Sequence, residues 1–578
     1  MDRFLPWLAA FLIAPAFLLP GACCAARELL TYEALMRGSY PHTVDLSAYT
    51  PDAAAVAATN TFEGTLRLTG QPHSRVLRSD AAFVEAGGLA QARTLPRDFA
   101  YEFVQSGGEL IPVRRGALAS SHGWWEFILE PGRVWNEPGD HGYSRAAIPF
   151  SLQERNANCT HNGVLMFLFR DDGRTSRAAL QVSSETCYYL SLDLWASLRA
   201  RYHRAPVAAR AAIIGGYRAE VARRLPVRPL AELGSRYPEV KVAELALGAA
   251  SARTVYGMVV QGVHYASGCA TRSGDYPDCE VLDLPSYSTA KSVFAALALM
   301  RLQALGGTAT SQPIGRWVPA CRDAGWEAVT FADALDMATG HYDSPAFEQD
   351  ENDAKTQGLF LPPDHASKIQ FACRAYPRKA APGTRWVYHT SDTYLLGTAM
   401  NAYLKSLPGH AGSDLFDDLL VADLFGPLGL SPVTAVTRRT YDAQREPFAG
   451  WGLTYHRDDI ARLGSFLDTQ EGRIDGAAVL DAGMLATALQ ENAADRGLPA
   501  ADLAGLRYKY GFWARDVKSV AGCDRPTWVP FMSGFGGISV VLFPRGIVYY
   551  NFSDDGAVPS FDWGKVAAQV RRIADYCR

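Results

Sequence analysis

The feature that most constrains this chain is a change of pattern near residue 205. Before it, apolar residues come in short runs, such as Trp124-Trp125-Glu126-Phe127-Ile128-Leu129 and Gly163-Val164-Leu165-Met166-Phe167-Leu168-Phe169. Turn signals separate the runs: Pro131-Gly132, Pro138-Gly139 and Asp171-Asp172-Gly173. Such runs read as strands, and a succession of them builds an all-β unit. Residues 27–204 are therefore expected to form a β-rich, sandwich-like domain. Its Trp124, Trp125 and Trp135 are weighed as a carbohydrate platform, against the commoner fate of strand aromatics as core. From Ala205 to Leu225 the chain turns Ala- and Arg-rich with helical spacing, and Pro226 and Pro229 punctuate it. This predicts a helical linker over residues 205–241.

A second globular unit is expected over residues 242–578. Thr254–Tyr265 reads as one strand, and the stretch from 288 to about 500 as mostly helical. Strands return at Tyr508–Asp516, Ile538–Phe543 and Ile547–Phe552, and a helix closes the chain from Asp562 to Tyr576. Strand first, helices in the middle, strands last: the sheet is assembled from both ends of the unit around a helical insertion. With 578 residues there is room for two or three domains. Charged residues are 20% and hydrophobic ones 48%, which excludes a disordered chain. The net charge of -4, with no basic run, gives no support for a nucleic-acid partner.

The N-terminus reads as a secretory signal over residues 1–26. Arg3 precedes an almost wholly apolar Phe4–Leu19, and small residues run from Gly21 to Ala26. The run is short and Pro-interrupted for a membrane span. The expected location is periplasmic or secreted. Lipid anchoring at Cys23 is the minor alternative, because Leu19 stands one residue too far from Cys23 for the usual lipobox. Ten cysteines are present, eight of them beyond the leader. An even number in an exported chain points to disulfides, and no Cys-x-x-Cys pair supports zinc. Nearest-neighbour pairing joins Cys159 to Cys187, Cys269 to Cys279, Cys321 to Cys373 and Cys523 to Cys577, one of many connectivities that eight cysteines allow.

The chemistry is carried by Ser288 and Lys291, in Ser286-Tyr287-Ser288-Thr289-Ala290-Lys291. Three residues apart, they meet on one face of a helix. Ser292 to Leu305 is helical in pattern and is stopped by Gly306-Gly307. Ser288 then lies in a first turn, where free N–H groups favour a developing negative charge. A desolvated lysine is a competent base for a serine hydroxyl. No Gly-x-Ser-x-Gly elbow and no His-Glu-x-x-His is present, which argues against a Ser-His-Asp hydrolase and a zinc hydrolase.

Five segments in order carry a family resemblance. They are Ser288-x-x-Lys291, then Val329–Gly340, then Pro382–Thr390 followed by Leu395-Leu396-Gly397. Gly452-Leu453 with Asp459–Gly464, and Ser533-Gly534-Phe535-Gly536-Gly537, complete the set. Over residues 250–578 the chain resembles the serine β-lactamase and penicillin-recognising family, in its class C and esterase-like branch. The resemblance implies a β-lactamase/transpeptidase-like α/β domain, an antiparallel sheet flanked by helices with a helical subdomain. It implies an exported serine hydrolase that cleaves an ester or amide through an acyl-enzyme on Ser288. Tyr388 is the implied partner, a phenol that shuttles the serine proton if Lys291 lowers its pKa. The oxyanion would be held by the N–H groups of Ser288 and Phe535, with Ser533, Gly534, Thr390 and His389 lining the substrate site.

Two departures stand out. Thr390 replaces the family's Asn in the second motif, and Met532 stands where the third motif opens with Lys or His. That cation normally holds an anionic substrate group, so its absence argues against β-lactam hydrolysis more than against acyl transfer. His389 and His341 lie close to the matched motifs as candidate replacements. The expected substrate is a small-molecule or peptide-like acyl compound, with no cofactor and no metal, and with cell-envelope association as a further expectation. The alternative is a catalytically weak binding or sensor protein of the same fold.

Overall fold

The computed structural model describes residues 30–577 apart from 86, 247–254, 502–503 and 554–560. The leader, with Cys23 and Cys24, lies outside the described residues, as does the start of the strand expected from Thr254.

The first half is built on eight long strands: β1 (Glu63–Thr69), β2 (Ala100–Ser106), β3 (Glu109–Pro112), β4 (Gly132–Asn136), β5 (Ser144–Glu154), β6 (Thr160–Phe169), β7 (Ala178–Thr186) and β8 (Leu190–Arg204). Each pairs antiparallel with its neighbour in this series, and β8 returns to pair with β1. The pairing therefore closes on itself as an up-and-down barrel. This corrects the sandwich-like expectation: closure comes from the register Arg199↔Thr69 to Arg204↔Gly64, which joins β8 back to β1. Spacing along the sequence does not reveal that last pairing.

The apolar run in β6 shows why no alternation is visible there. Leu165, Phe167 and Phe169 fill the barrel together with Ile148 and Phe150. Val164, Met166 and Leu168 face outward into a second core that they share with the other half of the chain. Both faces are buried, so both must be apolar. Trp125 and Trp135 belong to these cores, Trp124 packs half-buried against Phe83, and the Trp125 indole donates to Ala92 O at 2.9 Å, so the three tryptophans form no open platform. The helix α1 (Arg210–Arg223) lays Ile214 against Val104 of β2 and Ile111 of β3.

The second half has a nine-stranded sheet. Its strands are β9 (Val227–Pro229), β10 (Val255–Val260), β11 (Val263–Ala266), β12 (Leu498–Pro499), β13 (Leu506–Lys509), β14 (Phe512–Asp516), β15 (Trp528–Gly534), β16 (Ile538–Phe543) and β17 (Ile547–Phe552), in the order β9-β11-β10-β17-β16-β15-β14-β13-β12. β10 lies beside β17, so strands from both ends of this half meet at the centre. All neighbours are antiparallel except β9 with β11.

Two expected single strands are hairpins. Gln261-Gly262 and Tyr510-Gly511 each place two successive residues at positive φ (50° and 76°, 47° and 81°), the backbone of a tight primed turn. Helices cover both faces of the sheet. On one side lies the closing helix Trp563–Ile573, through Trp563, Val566 and Val570. On the other lie α2 (Leu297–Gly306), α3 (Thr390–Ser406) and α4 (Arg457–Asp468).

All four nearest-neighbour cysteine pairs are disulfides: Cys159–Cys187, Cys269–Cys279, Cys321–Cys373 and Cys523–Cys577. Four such bonds fit an oxidising compartment. Among the described residues no helix is long and apolar enough to cross a membrane.

Candidate active site around Ser288

Ser288 sits in a one-turn 3₁₀ segment, Tyr287–Thr289, which leads into a π-wound turn, Lys291–Ala296, and then α2. The widened turn was not expected from the helical pattern. It faces the Tyr510-Gly511 hairpin, where Ser292 Oγ donates to Gly511 O at 2.7 Å. A Cβ on Gly511 would lie 2.7 Å from Lys291 O, so only glycine permits this approach. π-type turns are common at functional sites.

The residue before the nucleophile, Tyr287, has φ +40°, a strained conformation for a bulky side chain. A barrel residue holds it there. Asn158, fully buried, accepts from Tyr287 N at 2.8 Å, from Ser286 Oγ at 3.0 Å and from Gly452 N at 3.0 Å. Its amide donates to Leu453 O at 3.2 Å. One side chain thus ties together the nucleophile turn and the Gly452-Leu453 segment. Neither role was legible in the sequence, because Asn158 lies in a turn about 130 residues before the segment it supports.

Lys291 Nζ lies 2.9 Å from Ser288 Oγ, 3.0 Å from Thr390 Oγ1 and 3.3 Å from Gly450 O. Burial lowers its pKa to about 8 against the pull of Glu351, Asp392 and Glu348. Thr390, the first residue of α3, also engages Glu351. Its N–H donates to Glu351 Oε2 at 2.8 Å and its hydroxyl donates to Glu351 Oε1.

These partners fix the direction of the hydrogens. A carboxylate only accepts, so the Thr390 hydrogen is committed to Glu351, and Thr390 Oγ1 accepts from Lys291. The Gly450 carbonyl also only accepts. A neutral Lys291 uses its two N–H groups on these two oxygens, which leaves its lone pair facing Ser288. Thr390, at the position where the second motif has Asn, thus acts together with Glu351. Sequence reasoning missed Glu351; the acidic stretch Asp350-Glu351-Asn352-Asp353 was its only trace.

Tyr388 joins this group. Its hydroxyl interacts with Ser288, and its ring lies 5.0 Å from Lys291 Nζ. The sequence reading required its pKa to fall. Instead, burial pushes the phenol well above its ordinary value, and the Glu351 carboxylate adds to the rise. Tyr388 is therefore a proton donor and not a phenolate at neutral pH.

Ser533 and Gly534 close β15, and Phe535 follows in the turn after it. A Cβ on Gly534 would lie 3.0 Å from Ser286 O, so this strand end abuts the nucleophile turn. Met532 is buried in the same core as Tyr287, Ala290 and Val293.

The two histidines do not approach Ser288 or Lys291 through any hydrogen bond. His389 is buried, with Nε2 3.0 Å from Asp350 Oδ2 and Nδ1 3.8 Å from Asp392 Oδ2. Burial opposes its charge, but the Asp350 hydrogen bond and Asp392 override it and raise its pKa to about 9. Its ring stacks on Tyr376 at 4.1 Å. His341 is also buried, stacked on Trp326 at 4.3 Å and bonded to Tyr376 O at 3.1 Å.

Among the described residues, two groups have metal-ligand composition, Cys159–His161–Cys187 and Glu130–Asp283–His456. The first is closed by its disulfide. In the second, His456 Nε2 lies 3.5 Å from Glu130 Oε1 and 3.6 Å from Asp283 Oδ1. The ring already accepts the Asp459 backbone N–H at the start of α4. That acceptance leaves the ring hydrogen on Nε2, where a metal would have to bind. The group therefore reads as a buried polar tie between barrel and helical half, with the Nε2 hydrogen facing Glu130 and Asp283.

Residues 284–550 match the family model described as Beta-lactamase. A search of curated proteins finds no match. Similar solved structures include a putative 6-aminohexanoate-dimer hydrolase from Bacillus anthracis, 15% identical, covering 60% of this chain and 81% of that one, with a TM-score of 0.42. A D-stereospecific amidohydrolase from Streptomyces sp. is 15% identical over 57% of this chain and 95% of its own, with a TM-score of 0.39. The D-alanine carboxypeptidase AmpC from Burkholderia cenocepacia is 14% identical over 62% and 99%, with a TM-score of 0.37.

Proposed function

Because this chain carries a domain of the serine beta-lactamase-related family over residues 284–550, we propose that it is an exported serine hydrolase that cleaves an ester or amide through an acyl-enzyme on Ser288. In this reading a β-rich N-terminal domain spans 27–204 and the hydrolase domain 242–578, while the expected helical linker 205–241 carries the helix α1 and also lends the edge strand β9 to the hydrolase sheet. The observation that carries it is Lys291 Nζ, buried, 2.9 Å from Ser288 Oγ and with its pKa lowered to about 8. A base is most effective when its pKa lies near the working pH.

Ser288 Oγ bonds to the substrate carbonyl carbon while its proton passes to neutral Lys291. The oxyanion is held by the N–H groups of Ser288 and Phe535. The carbonyl then reforms as the bond to the leaving oxygen or nitrogen breaks. That atom takes a proton from Tyr388, which Lys291 re-protonates. Water then attacks the acyl carbonyl carbon and gives a proton to Lys291; the bond to Ser288 Oγ breaks, Lys291 returns that proton to Oγ, and the acid leaves. The Glu351–Thr390 pair keeps the Lys291 lone pair on Ser288.

Reaction with a fluorophosphonate probe and hydrolysis of p-nitrophenyl acetate, on wild type and Ser288→Ala, test the reading. Both signals are expected in wild type and neither in the variant. Equal labelling and turnover by the two proteins would reject it. Met532 favours the second reading, a binding or sensor protein, which ligand binding without labelling or turnover would support.

A further inference from the structure

The mouth of the site is bordered by two aromatic side chains that the chemistry above does not use. Phe535, in the turn after β15, is 45% exposed, and Tyr188, in the barrel turn between β7 and β8, is 39% exposed. Their rings meet edge to face at 5.2 Å, and Phe535 also lies 5.8 Å from Tyr287, the residue before Ser288. The barrel turn is held in place. Cys187 is bonded to Cys159, and the Tyr189 hydroxyl donates to buried Glu154. A Cβ on Gly536 would lie 3.3 Å from Tyr188 Cβ, so the two turns are in direct contact. Large rings left open beside a reacting centre, on rigid supports, are the composition of a ligand subsite.

The charges acting on the catalytic lysine are weighted against an anion. The third-motif position is Met532, and Glu348 and Glu351 act on Lys291. The nearby cation, Arg78, lies 5.6 Å over the Tyr188 ring and donates to Cys187 O at 3.1 Å, so it is engaged in holding the turn.

We propose that Tyr188 and Phe535 form an aromatic clamp that receives an uncharged aryl or bulky apolar group of the substrate, so that the barrel sets the specificity of Ser288. This rests on the acyl-transfer reading above. In this edge-to-face arrangement both rings keep exposed surface on which a third flat group can pack.

The test compares wild type, Tyr188→Ala and Tyr188→Phe, with thermal melting as the check on folding. Kinetic constants are measured on p-nitrophenyl phenylacetate, acetate and hemisuccinate. Inactivation rates are measured with phenylmethanesulfonyl fluoride and methanesulfonyl fluoride, which report on Ser288 even where ester turnover is slow. Wild type is expected to favour phenylacetate over hemisuccinate. Its aryl-over-methyl preference should fall by about tenfold in Tyr188→Ala, on both esters and sulfonyl fluorides, and persist in Tyr188→Phe. A hemisuccinate turned over as well as phenylacetate overturns the clamp, as does an aryl preference unchanged in Tyr188→Ala. If neither sulfonyl fluoride modifies Ser288 and no ester is cleaved, the acyl-transfer reading itself fails, and the clamp with it.

Discussion

Thr390→Val is the most direct probe of how Lys291 is kept ready. Valine matches threonine in shape, but it removes the oxygen that accepts from Lys291 at 3.0 Å and donates to Glu351. A hydrogen bond to a charged partner contributes ~1.5–3 kcal/mol. If all of it acts on the Ser288 proton transfer, kcat/KM falls by about 10- to 150-fold. Thr390→Ser keeps the oxygen and should recover most of this. Glu351→Gln has a different signature. Glu351 is the largest influence holding the Lys291 charge against burial. The wild-type rate should rise with pH as Lys291 deprotonates around 8. Without the Glu351 charge the amine gives up its proton more easily, so the limb moves to lower pH, by ~1–3 units. The assay is kcat/KM for p-nitrophenyl acetate from about pH 6 to about pH 10, which reports groups of the free enzyme. The reasoning is refuted if Thr390→Val stays within roughly threefold of wild type, or if the Glu351→Gln limb stays put or moves to higher pH.

Two further outcomes follow from buried contacts. Asn158→Ala leaves Tyr287 N, Ser286 Oγ and Gly452 N without their acceptor; denaturant titration should show a loss of ~2–3 kcal/mol, with a lower kcat at temperatures where the variant is folded. His389 has its pKa raised from 6.5 to about 9 by Asp350 and Asp392. Its contribution to stability is therefore full below about 6.5 and lost as pH rises through about 9. Melting curves of wild type and His389→Phe should accordingly converge across that window, and a constant gap would refute the assignment.

The sequence made some of this legible for definite reasons. Ser288 and Lys291 could be paired because helical spacing brings residues three apart together. The hydrolase half could be outlined because its strands are continuous apolar runs at both ends of a helical stretch. The hairpins at Gly262 and Gly511 were read through, since one glycine inside an apolar run does not by itself announce a turn. Barrel closure, the Asn158 support and the Glu351–Thr390 pair were hidden for a common reason. Each joins segments far apart in the chain, and no local pattern records such a contact. Tyr388 was found by resemblance, but the direction of its pKa depended on burial and on Glu351, both set by the folded surroundings.

The up-and-down order of the barrel has a consequence for how the molecule is made. From β1 to β8 each strand finds its partner in the strand that precedes it, and only the β8–β1 seam spans the set. A chain emerging from its N-terminus can complete this unit before residue 284 exists. β10 has no such freedom, since its partner β17 begins at Ile547. The barrel, with Asn158 already in place, is then a finished surface on which the Ser286–Ser288 turn is laid down. In that order of events the serine would acquire its setting from a template folded before it.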